Sequence, residues 1–152
     1  MKKADGTGTY FIWDITEVDQ HWRCVTPIFS DAIYTDSYPR KLGIRVHPMG
    51  VENGSGTHVA VFVHMMKGKY DGIVCDWPVT GRITLSILDQ SGAHNDISRI
   101  LQVKPNLAAF QRPGEAISRI GYGFVKFSPI EEFFGPQYVR DSTIFIKIEF
   151  SS

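Results

Sequence analysis

Four stretches of the chain alternate apolar and polar residues with a period of two. In Lys41 to His47, Leu42, Ile44 and Val46 fall on one side, and Gly43, Arg45 and His47 on the other. Thr57 to Met66 sets Val59, Val61, Val63 and Met65 against His58, Ala60, Phe62 and His64. Arg82 to Leu88 alternates around Ile83, Leu85 and Ile87, and Thr143 to Phe150 around Ile144, Ile146 and Ile148. Successive side chains of a strand point to opposite faces, so this period in β-branched residues predicts half-buried strands. Tyr10 to Ile15 and the stretch near Phe124 to Phe127 read as shorter strands. Turn residues separate the runs at Asn53-Gly54-Ser55-Gly56 and at Asp89-Gln90-Ser91-Gly92. Asn-Gly supplies the positive φ angles of a primed hairpin turn. Seven or eight strands with turns between them predict an all-β sandwich. A short helix is expected around Pro129 to Phe134, with proline near its start. Lys104 to Gly123, with little alternation, reads as a long loop of the kind that often carries function. Heptads are absent, so this chain contains no coiled coil.

Composition narrows the class. The chain has 152 residues, which suits one domain. Its 16 basic and 16 acidic residues give a formal net charge of zero, a poor match for a polyphosphate, so nucleic acid is not expected as a partner. Two distant cysteines, Cys24 and Cys75, make no disulfide framework and fit a reducing, cytoplasmic compartment. The start, Met1-Lys2-Lys3-Ala4-Asp5-Gly6, lacks the apolar run of a signal peptide. No stretch has the roughly 18–20 apolar residues of a membrane helix, so insertion is not expected. Asn53-Gly54-Ser55 matches a glycosylation sequon, but a tight turn accounts for the same residues.

Catalytic constellations are missing. His58 and His64 share a strand face, yet six residues of strand span about 20 Å, too far to ligate one metal. The sequence holds no Cys-x-x-Cys, His-Glu-x-x-His or Gly-x-Ser-x-Gly, and no phosphate-binding glycine signature. No metal, cofactor or enzymatic activity is expected. Arg45 and His47 leave two readings open. They are a solvated face, or a guanidinium held on a rigid strand to pair a carboxylate or stack on a ring. Gly121-Tyr122-Gly123-Phe124 also has two. Its glycines mark close backbone approach, and its aromatics either wall a pocket or belong to the core.

From about Gly8 to Glu149 the chain resembles the TRAF-C (MATH) domain of TNF-receptor-associated factors. The resemblance is carried by Tyr10-Phe11-Ile12-Trp13-Asp14-Ile15, by Ile33-Tyr34-Thr35 followed by Lys41-Leu42, and by Gly56-Thr57-His58. It continues through Met66-Lys67-Gly68-Lys69-Tyr70-Asp71, Trp77-Pro78, Leu88-Asp89-Gln90, Phe110-Gln111-Arg112-Pro113 and Tyr138-Val139-Arg140-Asp141. It implies an eight-stranded antiparallel β-sandwich over residues 8–150, leaving 1–7 as a disordered start or an expression remnant.

The same resemblance implies a signalling adaptor that binds receptor or adaptor tails as an added strand at a sheet edge and couples them to NF-kB and MAP-kinase-type signalling. Leu107, Ala108 and Ala109 stand where many relatives have three serines, which points to the subgroup serving Toll/interleukin-1 and CD40-type receptors. Its peptides follow Pro-x-Glu-x-x-(aromatic or acidic). By resemblance, Tyr122, Phe124 and Leu101 line the proline pocket, and backbone amides near Ala108 and Ala109 receive the glutamate. Gly121 and Gly123 let the peptide approach, while Arg45, with His47 beside it, meets the terminal residue. The subgroup has a lysine where this chain has Ile120, with Arg119 one step earlier. A related class of MATH domain recruits substrates to ubiquitin ligases or deubiquitinases; the Leu107-Ala108-Ala109 segment argues against it. Longer family members trimerise through a coiled coil, so this chain is expected to be a monomer or a weak trimer.

Overall fold

A strand with one apolar face must cover that face, and here two sheets cover each other. The computed structural model describes residues 2–3, 10–18, 26–34, 41–67, 81–103, 109, 117 and 121–151. The first sheet runs β1 (Lys2–Lys3), β2 (Tyr10–Ile15), β10 (Ile144–Ser151), β7 (Gly81–Ile87) and β8 (Ile97–Val103), in that spatial order. The second runs β3 (Ile28–Phe29), β5 (Lys41–His47), β6 (His58–Met66) and β9 (Tyr122–Pro129), with β4 (Ile33–Tyr34) also on β5. All pairings are antiparallel. β3 and β4 lie on the same side of β5 and form one broken edge strand. The expected eight strands therefore divide four and four, with Lys2–Lys3 added beside β2.

Register explains the core. Across the first sheet, Trp13, Ile146 and Ile87 form one buried row, and Phe11, Ile148 and Leu85 the next. Across the second, Val46 and Val61 share a row, as do Ile44 and Val63, and Leu42 and Met65. Each such side chain gains roughly 1.5–3 kcal/mol on leaving water. The rows face each other as one continuous cluster.

The break between β3 and β4 has a local cause. Ser30 donates its N–H to the Ile44 carbonyl at 2.9 Å, and its Oγ accepts the Ile44 N–H at 2.9 Å, so a side chain replaces a ladder carbonyl. The opposite edge, β9, is long. It continues into the helix α1 (Ile130–Phe133), entered from Pro129 as the sequence predicts.

Two local expectations are corrected. Asn53-Gly54 is no primed hairpin turn, because residues 48–57 separate β5 from β6 and Glu52–Gly54 forms a 3-10 turn. Positive φ falls instead at Gly50, Glu52 and Gly56. Gly54 is required because β9 crosses it, and a Cβ there would lie 2.7 Å from the Val125 carbonyl oxygen. The expected loop from Lys104 to Gly123 is strand from Tyr122 onward, because Gly123 and Tyr122 pair with Phe62 and Val63. The Trp77-Pro78 and Phe110-Gln111-Arg112-Pro113 motifs lie outside the described residues.

Leu88-Asp89-Gln90 ties two loops together at the end of the sandwich. The Asp89 carboxylate accepts from the Ser91 N–H at 2.7 Å, the Asn95 N–H at 2.9 Å and Gln137 Nε2 at 2.9 Å. Gln90 Nε2 donates to the carbonyls of Tyr138 at 2.7 Å and Thr143 at 2.9 Å. The Tyr138 hydroxyl returns to the Asn95 carbonyl at 2.8 Å. The bonds to its carboxylate, first that from the Ser91 hydroxyl at 2.6 Å and then that from Gln137, hold the Asp89 carboxyl well below the usual carboxylate range.

Candidate functional site

β9 is the last strand of its sheet among the described residues, so its outer row of backbone groups is a template for another strand. Register fixes what flanks that edge. Phe124 pairs with Val61 and Tyr122 with Val63, so both aromatics end core rows. They are half-buried and pack on the core cluster. Gly123 pairs with Phe62, and Phe62 with Arg45, on the opposite, outer face. The sequence-predicted site thus divides between the two faces of one sheet, with Tyr122 and Phe124 inside and Arg45 and His47 outside.

The outer face holds a stacked group. The Arg45 guanidinium lies 4.6 Å from the centroid of the Phe62 ring, and His47 meets the same ring edge-on at 5.9 Å. Phe29, opposite Arg45 on β3, is 54% exposed and tilts against His64 at 6.4 Å. Arg45 Nε is buried and has no hydrogen-bond partner among the described residues. Burial lowers the basicity of Arg45. His47 is also held below its ordinary value, first by burial and then by the charges of Arg45 and His64. The face offers a desolvated cation backed by a ring, suited to a carboxylate or an aromatic side chain.

The two glycines make room for the protein's own β6. A Cβ on Gly123 would strike the Val61 carbonyl oxygen and come within 2.8 Å of Phe62 Cα. On Gly121 it would lie 2.5 Å from His64 Nε2. β9 therefore hugs β6, next to a register shift between Val59 and Val61.

On the inner side the mouth of the core lies between β9 and the edge strand β8, which pack together. Leu101 is 1% exposed and belongs to the core floor, as does Ala109. Leu107, Ala108, Arg119 and Ile120 lie outside the described residues. Sequence reasoning missed Phe62 as the platform for Arg45, and Arg99, whose guanidinium is 5.8 Å from the centroid of the Phe127 ring in this mouth. The signal for Phe62 was present, since it shares the alternation side of His58 and His64. Among the described residues no group of His, Cys, Asp or Glu is placed to hold a metal, and no helix is long and apolar enough to cross a membrane.

Comparison with known proteins gives concordant matches. Residues 25–147 match the family model described as TRAF/meprin, MATH domain. The chain is 34% identical to mouse TNF receptor-associated factor 1 over 97% of its own length and 37% of the relative's. It is 33% identical to human TNF receptor-associated factor 6 over 93% of its length and 28% of the relative's. The chain thus spans about a third of the curated relatives it matches. The structure of Notothenia coriiceps TRAF5 superposes with a TM-score of 0.80 at 29% identity, covering 95% of this chain and 73% of that one.

Proposed function

Since the chain belongs to the TRAF/meprin MATH domain family, we propose that it is a signalling adaptor domain that binds extended peptide tails by adding them to the β9 edge. Backbone hydrogen bonds supply affinity in this mode, and side-chain contacts on both faces supply selectivity. The observation that carries the reading is the placement of aromatics and cation on opposite faces of an open edge, Tyr122 and Phe124 on one side and Arg45 on the other.

Parity fits a Pro-x-Glu-x-x-(aromatic or acidic) ligand. Residues two apart share a face of a strand, and residues five apart do not. Proline and glutamate then lie on the side of Tyr122 and Phe124, and the terminal residue lies on the side of Arg45. The partners are cytoplasmic tails of TNF-receptor-family or Toll/interleukin-1 pathway proteins, coupled to NF-kB and MAP-kinase-type signalling. The domain itself carries no catalysis. The isolated domain is a monomer or a weak trimer, and a tight trimer by sedimentation at micromolar concentration would contradict this.

The test is a calorimetric titration with a Pro-x-Glu-x-x-aromatic peptide beside its Glu→Ala control. Saturable micromolar binding that the control loses is the expected result. Saturable binding that survives truncation of both Arg45 and Tyr122 would move the site elsewhere.

A further inference from the structure

Among the described residues, β8 is the one long edge strand with unbroken pairing. It pairs with β7 residue for residue, from Val103 opposite Gly81 to Ile97 opposite Ile87. By contrast, β3 and β4 are split, β1 has two residues, and β9 shifts register against β6. Ser98, Arg99 and Ile100 are exposed in succession, so both faces of β8 meet solvent. A straight edge that displays an isoleucine is a ready template for a second strand. Three rows of the sheet end on β8 in a buried apolar side chain: Ile87 meets Ile97, Ile83 meets Leu101, and Gly81 meets Val103. The row of Phe11, Ile148 and Leu85 ends on the exposed Arg99 instead. Its guanidinium lies 5.8 Å from the centroid of the Phe127 ring, on the core side of the strand.

The composition of β8 decides what a second copy would do to that cation. Two copies that pair antiparallel through β8, with their cores on the same side, match residues of like face. Arg99 then falls opposite Ile97, Leu101 or Val103 of the other copy, or opposite its Arg99. β8 contains no acid, so no register brings the guanidinium a carboxylate from the opposing strand. Each register takes it out of water against an apolar side chain or a like charge, which is unfavourable. With the cation gone, the register that sets Ile100 against its own copy would bury two exposed isoleucines together. We infer that Arg99 is an edge guard, which keeps β8 from pairing with a second copy of this chain. β8 and β9 pack together on one side of the sandwich, so the guard keeps that side from closing copy against copy.

Sedimentation equilibrium tests this on the wild-type domain, Arg99→Leu, Arg99→Val, Arg99→Lys and the double variant Arg99→Leu with Ile100→Lys. Circular dichroism checks the fold of each. Arg99→Leu and Arg99→Val associate, with a dissociation constant about tenfold or more below that of wild type. Arg99→Lys keeps the cation and sediments as wild type does. Adding Ile100→Lys to Arg99→Leu restores the wild-type state, because like charges then meet between the paired strands. Wild-type sedimentation of both neutral variants would overturn the guard. So would association of Arg99→Lys, or association that persists in the double variant, since the contact would then lie away from β8. Loss of the fold in both neutral variants would overturn it as well, by showing that the cation serves its own copy.

Discussion

Gly123 of β9 stands directly across from Phe62 of β6, and its missing side chain leaves the Phe62 ring, with Arg45 stacked on it, as the outer-face neighbour of the β9 edge. One glycine thus does two things. It lets the two backbones close up, and it keeps the path from the edge to the guanidinium clear.

Gly123→Ala should therefore fail on both counts. The new methyl group meets backbone atoms of Val61 and Phe62, which cannot swing aside as a side chain does. A loss of about 1–3 kcal/mol is expected from urea unfolding, as for other overpacked sites. Gly121→Ala should cost less, because the group it meets is the ring of His64.

Arg45→Ala and Tyr122→Ala should each weaken a Pro-x-Glu-x-x-aromatic peptide by ~1–2 kcal/mol, as interface anchors do. Arg45→Lys should recover little of the loss, since an ammonium lacks the planar stack on Phe62. Calorimetric affinities for the three variants decide this, and equal affinity in all would reject the assignment.

Acid should loosen the loop knot. The Asp89 carboxyl is held below its ordinary value when folded, so its contribution is complete above the unfolded value of about 3.9 and is lost as pH falls through the lower folded value. Melting temperatures should drop below about pH 4, and Asp89→Asn should flatten that limb while lowering stability at neutral pH. An identical pH profile in the variant would show that other groups govern the acid limb.

Ile146 lies between Trp13 and Ile87 with no exposure at all. Ile146→Ala should cost about 2–5 kcal/mol, the range for large-to-small changes in close-packed cores. Denaturant midpoints with an unchanged slope would confirm a loss of packing rather than of cooperativity.

Much of the fold could be read from period alone where one face is buried and the other wet, as in Leu42, Ile44 and Val46 against Arg45 and His47. β6 was harder, because Ala60, Phe62 and His64 are buried on the outer face as well. β8 escaped the pattern entirely. Its inward Arg99 and outward, 60% exposed Ile100 reverse the expected polarity at neighbouring positions. The division of Tyr122 and Arg45 between faces was not legible either, since it depends on the pairing register of three strands, which no local spacing encodes. Leu88-Asp89-Gln90 stood out as a motif, but its partners Gln137, Tyr138 and Thr143 lie about fifty positions away.

The interrupted edge at β3 and β4 gives the sandwich a handedness of use. Two short segments split at Ser30 and Asp31 make a poor template for another chain, whereas β9 offers eight residues. Copies gathered with their blunt sides inward would all keep their docking edges outward. On the strand-addition reading proposed above, a crowd of peptide tails would then meet as many edges as there are copies. Contacts too brief to matter singly would hold collectively, making the response depend on how densely the tails are clustered.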